Sequence, residues 1–148
     1  MEAVILMGIP GSGKSSFAKE RFFHSHVRIS LDQLKTRHRE HRLLEFCLTT
    51  EQRFVVDNTN PAQLERAAYI DAAKRHRFQV IGYYFQSSVA DCLRRNAQRA
   101  DLERVPEVAI LAIASKFELP HRGEGFDQLF YVRLAEAGFV IEEWRDEL

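Results

Sequence analysis

The stretch Val4-Ile5-Leu6-Met7-Gly8-Ile9-Pro10-Gly11-Ser12-Gly13-Lys14-Ser15 reads as a short apolar strand, a glycine-rich turn and the opening of a helix. Its second half has the spacing G-x-x-x-x-G-K-[ST], a phosphate loop in which each residue type has a mechanical reason. Gly8, Gly11 and Gly13 admit backbone conformations that a side chain would forbid, so successive N–H groups can turn inward around phosphate oxygens. The helix that starts near Gly13 aims its positive end at the same point. Lys14 is expected to bridge the β- and γ-phosphates as a point charge, and the Ser15 hydroxyl to ligate Mg²⁺ carried by the nucleotide. Gly8, Pro10, Gly11, Ser12, Gly13, Lys14, Ser15 and Ser16 are thus the expected contacts of a nucleoside triphosphate.

Outward from the loop, strands and helices alternate. Phe17, Ala18, Phe22 and Phe23 fall at helical spacing, so a helix over about 13–23 buries one side. Val27-Arg28-Ile29 is a second strand, and Ser30 with Gln33 has the form of a capping box opening a helix, which puts Asp32 in its first turn. A helical apolar pattern over 43–48 precedes a buried strand at Phe54-Val55-Val56. In Asp57-Asn58-Thr59-Asn60-Pro61, Asn60 is expected to cap the next helix with Pro61 at its first position. Leu64, Ala67, Ala68 and Ala72 would form that helix's apolar face. A strand over 79–85, a helix from Ser87 to about Arg99, a charged hinge over 101–105 and a helix from Pro106 to Phe117 follow, the last two helices forming a lid. Strands at 129–132 and 139–141 complete the rhythm. The expected fold is α/β: three layers of the P-loop NTPase type, a parallel sheet with helices on both faces, and a small helical lid over about 99–118.

The 148 residues suffice for one domain, expected over 1–148, that buries roughly 70% of the surface its unfolded chain would expose. Cys47 and Cys92 stand apart, without the spacing of a disulfide framework or a metal site. With no leader pattern or membrane span, a reduced, cytoplasmic chain is expected, with no membrane partner. Lys and Arg together number 21, as do Asp and Glu, so no whole-molecule field draws the chain to a polyanion. A local basic segment, Lys35-Thr36-Arg37-His38-Arg39-Glu40-His41-Arg42, is the exception.

Phosphoryl transfer also needs a group to receive the acceptor's proton, support for the ion, and charge on the moving phosphoryl group. Asp32, just beyond a strand end, is the candidate general base. Asp57 ends an apolar strand, where P-loop proteins place an acidic residue that assists the loop serine, and is the candidate acid on the metal side of Ser15. Arg95 and Arg99 lie four apart on one expected helix, with Asp91 a turn before Arg95 as an ion-pair partner. Arg99, at the base of the lid, is the candidate contact to transferring oxygens, with Arg104 a second.

These motifs, together with Phe117-Glu118-Leu119-Pro120 and Gly125-Phe126, resemble the 5′-hydroxyl polynucleotide kinases of the P-loop kinase superfamily over nearly the whole chain. The resemblance implies ATP and Mg²⁺ at Lys14 and Ser15, and Asp32 as general base toward a ribose 5′-hydroxyl. It also implies Arg99 on the phosphoryl group, Asp57 as metal-side acid and Arg95 as a nucleotide contact. Lys35 stands where some members carry an arginine that clamps the acceptor phosphate, so it is the candidate substrate contact. The expected partners are ATP and a 5′-hydroxyl nucleic acid end. A small hydroxylated metabolite or nucleoside is the alternative acceptor, and an accessory ATPase without transfer activity a third reading.

Overall fold

The computed structural model describes residues 1–145. Six strands, β1 (Glu2–Met7), β2 (Val27–Ile29), β3 (Phe54–Asp57), β4 (Gln79–Gln86), β5 (Gln128–Ala135) and β6 (Gly138–Glu143), form one sheet in the order β2-β3-β1-β4-β5-β6. Strands β1 to β5 pair in parallel, as the alternation with helices requires. Strand β6 differs from the parallel expectation and runs antiparallel to β5. Only Glu136 and Ala137 separate the two strands, and a connection that short can only fold back.

The helices are α1 (Lys14–Phe22), α2 (Leu31–Leu34), α3 (Arg37–Thr49), α4 (Gln63–Arg75), α5 (Val89–Ala97) and α6 (Glu107–Lys116). Alternate residues of β1 face opposite layers, which is why the strand reads as an unbroken apolar run. Ile5 and Met7 meet Leu44, Cys47 and Leu48 of α3 and Tyr69, Ile70 and Ala73 of α4. Val4 and Leu6 meet Phe17, Ala18 and Phe22 of α1, joined by Phe139 and Ile141 from β6. Phe17 is the centre of this layer, its ring 5.1 Å from those of Tyr83 and Phe85 and 5.2 Å from that of Phe139. Among the described residues no helix is long and apolar enough to cross a membrane.

Several local expectations about helix starts and faces are not met. Ser30 precedes α2, but its side chain makes no cap; the hydroxyl is fully buried and unpartnered, and Gln33 makes no reciprocal bond. Helix α2 ends after four residues because Lys35 adopts φ 72°, and Thr36 then caps α3 by accepting from the Arg39 N–H at 3.2 Å. Asn60 does not cap α4, which starts after Ala62; its φ is 47° and its amide donates to Leu6 O at 2.8 Å. Helix α4 is also rotated from the expected face: Leu64 is 84% exposed and Ala68 exposed, whereas Arg66, Tyr69, Ile70 and Ala73 are buried alongside the expected Ala72. Fully buried Arg66 grips Glu124 through Nε at 2.8 Å and Nη2 at 3.1 Å, and its Nη1 donates to Asn60 O and Glu118 O, both at 2.9 Å. That bidentate pair ties α4 to the turn before β5 and fixes the loop after β3.

Candidate active site

The carboxyl ends of β1 and β3 lie side by side, with Leu6 in register with Asp57. The loop after β1 and the acid ending β3 therefore meet at the edge where open α/β sheets bind ligands. Gly11 and Gly13 hold φ 87° and 101°, the left-handed region that the turn requires. Gly11 is excluded from substitution a second way, because a Cβ there would lie 2.5 Å from the Cys92 carbonyl of α5. Gly8 is needed for space rather than for positive φ, since its Cβ would sit 2.7 Å from the Ser12 hydroxyl and 3.0 Å from Phe85 Cβ.

Lys14 is buried, and its ammonium donates to Gly8 O at 2.8 Å, Ile9 O at 3.0 Å and Ser12 Oγ at 3.4 Å. Burial lowers its pKa from 10.5 to about 8, with Asp57 opposing the shift and Arg99 reinforcing it. Ser15 Oγ donates to Asp57 Oδ2 at 3.0 Å. An alcohol and a carboxylate are the hard oxygen donors that Mg²⁺ accepts, so this pair fits the ion. Among the described residues no group of three His, Cys, Asp or Glu side chains could hold a metal, so nucleotide and water would supply the remaining ligands.

Lys14, Ser15, Asp57, Asp32 and Arg99 line one cleft of about 180 Å³, with Pro10, Arg37 and Val105 at its walls. Five positions separated in sequence by up to 85 residues thus line one cleft. Asp32 reaches the cleft from the first turn of α2 and is exposed to solvent. Its helix is anchored by a buried polar network that the sequence did not announce. The Leu31 N–H donates to Asn58 Oδ1 at 2.9 Å, Asn58 Nδ2 donates to Glu40 Oε2 at 2.9 Å, and Tyr69 OH donates to Glu40 Oε1 at 2.7 Å. Burial and the Glu40 carboxylate push the Tyr69 phenol well above its usual range, which keeps it a donor. Asn58 directly follows the strand-ending acid, and that adjacency was the available signal.

Other expected residues sit differently. Lys35 is exposed and does not line the cleft; the residue of the basic segment that does is Arg37, because the break at Lys35 turns α3 back toward the site. Arg95 donates to Gly11 O at 2.7 Å and to Ser87 Oγ at 3.1 Å, so it braces the loop from α5. Arg99 lies beyond the end of α5 at Ala97, not on a shared helical face with Arg95. Asp91 pairs with Arg94 at 2.6 Å rather than with Arg95. Arg104 pairs with Asp101 and donates to Arg99 O, and it does not line the cleft. The buried Asn96 side chain pins the hinge, bonding the Val105 carbonyl at 2.6 Å and the Val105 N–H at 2.9 Å. Ile110 of α6 packs with Ile9 and Cys92, so α6 touches the glycine-rich loop itself. The clearest residue missed is Arg28 of β2, whose Nε donates to Asp57 Oδ2 at 2.8 Å. Its signal was a charge in the middle of a short apolar strand.

A family model described as an AAA domain matches residues 4–120. The bifunctional polynucleotide phosphatase/kinase of Schizosaccharomyces pombe (strain 972 / ATCC 24843) is 32% identical over 129 residues, a match covering 84% of this chain and 32% of the relative. The chain thus spans about a third of the length of the curated relatives it matches. Among solved structures, Chaetomium thermophilum Kti12 in complex with ADP-AlF3 matches with a TM-score of 0.68 at 17% identity, covering 91% of this chain and 92% of that one. A gluconokinase from Sinorhizobium meliloti 1021 matches with a TM-score of 0.63 at 16% identity, covering 91% and 83%. At these identities the likeness is one of fold.

Proposed function

The chain belongs to this AAA-domain family of P-loop proteins, and from that premise we propose that it is an ATP-dependent kinase acting on the 5′-hydroxyl of a polynucleotide end. The observation that carries the reading is the single cleft lined by Lys14, Asp32 and Arg99 together. A triphosphate on the loop draws Lys14 from its backbone carbonyls onto the β- and γ-phosphates. Asp32 accepts the hydroxyl proton as the acceptor oxygen bonds to the γ-phosphorus; the bond to the bridging oxygen breaks and ADP leaves. Arg99 takes up charge on the transferring oxygens as the lid over about 99–118 closes. Ser15 and Asp57 would hold Mg²⁺, which when bound neutralises charge on the phosphates. Arg95 acts through Gly11 to hold the nucleotide grip.

The polynucleotide acceptor draws support from the S. pombe relative and from Arg37 at the cleft wall, beside the exposed Arg39 and Arg42. Zero net charge favours the second reading, a small hydroxylated acceptor. The buried, free Cys47 and Cys92 fit the cytoplasmic setting. The deciding experiment is transfer of labelled γ-phosphate to a panel of 5′-hydroxyl oligonucleotides, nucleosides and sugars at several salt concentrations. An oligonucleotide held through about three phosphates should lose roughly tenfold or more in kcat/KM between 50 and 200 mM salt. Faster transfer to a sugar, indifferent to salt, replaces the polynucleotide with the metabolite; transfer to none removes the kinase assignment.

A further inference from the structure

Asp57 Oδ2 accepts hydrogen bonds from two side chains, which also touch each other. Ser15 Oγ donates to it at 3.0 Å, Arg28 Nε donates to it at 2.8 Å, and Arg28 Nη2 also reaches Ser15 Oγ at 3.5 Å. The guanidinium therefore lies against both side chains that fit the ion, on the same carboxylate oxygen. The Asp57 side chain is 2% exposed, so its charge has little access to water and needs a partner. The Arg28 side chain is 36% exposed, and a cavity of about 480 Å³ lined by Arg28, Ser15, Lys19, Phe22 and Gln33 opens beside it. A cation that is needed at one oxygen but has open space next to it can leave when another cation arrives.

We infer that Arg28 is a tethered cation that occupies the Ser15–Asp57 pair in competition with Mg²⁺ and swings into the adjoining cavity when the Mg²⁺–nucleotide complex binds. The inference rests on the reading of this cleft as a nucleotide site. Arg28 is a positioning residue in this scheme: it keeps the buried carboxylate paired and aimed at Ser15, and its removal is a cost that divalent binding must meet. The charge repulsion is direct, because a guanidinium left at Oδ2 would face a doubly charged ion on the same oxygen.

The test is a Mn²⁺ titration of wild type, Arg28→Gln and Arg28→Lys with a non-hydrolysable ATP analogue, reading free Mn²⁺ by electron paramagnetic resonance. Arg28→Gln should bind Mn²⁺ about tenfold more tightly, since a charge-assisted hydrogen bond no longer has to be broken. Arg28→Lys, which keeps the charge without the fork, should fall between the two. Without ligand, Arg28→Gln should melt below wild type, and the gap should close on adding Mn²⁺ and nucleotide. Unchanged or weaker Mn²⁺ binding by Arg28→Gln, against a wild type that responds to Mn²⁺, overturns this inference alone. A wild type that binds nucleotide and ignores Mn²⁺ overturns it together with the metal assignment of Ser15 and Asp57.

Discussion

Replacing Arg66 by Met should be among the most damaging single changes outside the phosphate loop. The arginine is fully buried and makes two bonds to Glu124, whose side chain is 2% exposed, and two more to the carbonyls of Asn60 and Glu118. Methionine keeps much of the volume but leaves a buried carboxylate unpaired, a loss of about 3–5 kcal/mol. For a chain of 148 residues that corresponds to a melting temperature lower by about 10–15 °C. Urea unfolding followed by circular dichroism gives the free energy, and a thermal melt gives the shift. Glu124→Leu added to Arg66→Met should recover a large part of the loss, because the orphaned charge goes with it. A loss below about 1 kcal/mol, the scale of an exposed ion pair, would refute the reasoning.

Asp32→Asn should bind an ATP analogue with near wild-type affinity while transfer falls by about 10²–10⁴, measured by equilibrium titration beside a rate assay. Asn58→Leu should lower kcat several-fold more than it raises the KM for ATP, because it releases the Leu31 N–H that anchors the helix carrying Asp32; equal effects on both would remove the positioning role. Lys14 titrates near 8, below its unfolded value of 10.5, so between those values the unfolded chain holds more protons and this residue's contribution to stability rises with pH. A bound triphosphate favours the ammonium, so nucleotide binding should take up a proton above about pH 8 and weaken by up to tenfold per further pH unit. Calorimetry in two buffers of different ionisation enthalpy reads that uptake directly.

The phosphate loop and the buried strands were legible because local pattern and tertiary role coincide there; the helix start at Asp32 was placed correctly, although the capping box that pointed to it does not form. The P-loop needs glycine and lysine at fixed offsets, and buried parallel strands need continuous apolar runs. Legibility ended where a polar side chain does its work far along the chain. Asn60 looked like a helix cap because its neighbours are a threonine and a proline, whereas its amide is spent on the Leu6 carbonyl of another strand. Arg66 lies off the expected apolar face of its helix, yet it is fully buried and its partner is 58 residues away. Lys35 occupies the expected spacing after Asp32, yet a backbone reversal at that residue brings Arg37 to the cleft in its place. Linear spacing carries no information about a left-handed residue at a non-glycine position.

Helix α5 touches the nucleotide loop three times: through the Cys92 carbonyl crowding Gly11, through Arg95 on the Gly11 carbonyl, and through the shared apolar contact of Cys92 and Ile110 with Ile9. A clamp built on that helix cannot tilt without disturbing the cradle beneath it. On the proposed kinase reading, any movement of α5 is therefore felt directly where the donor triphosphate would sit.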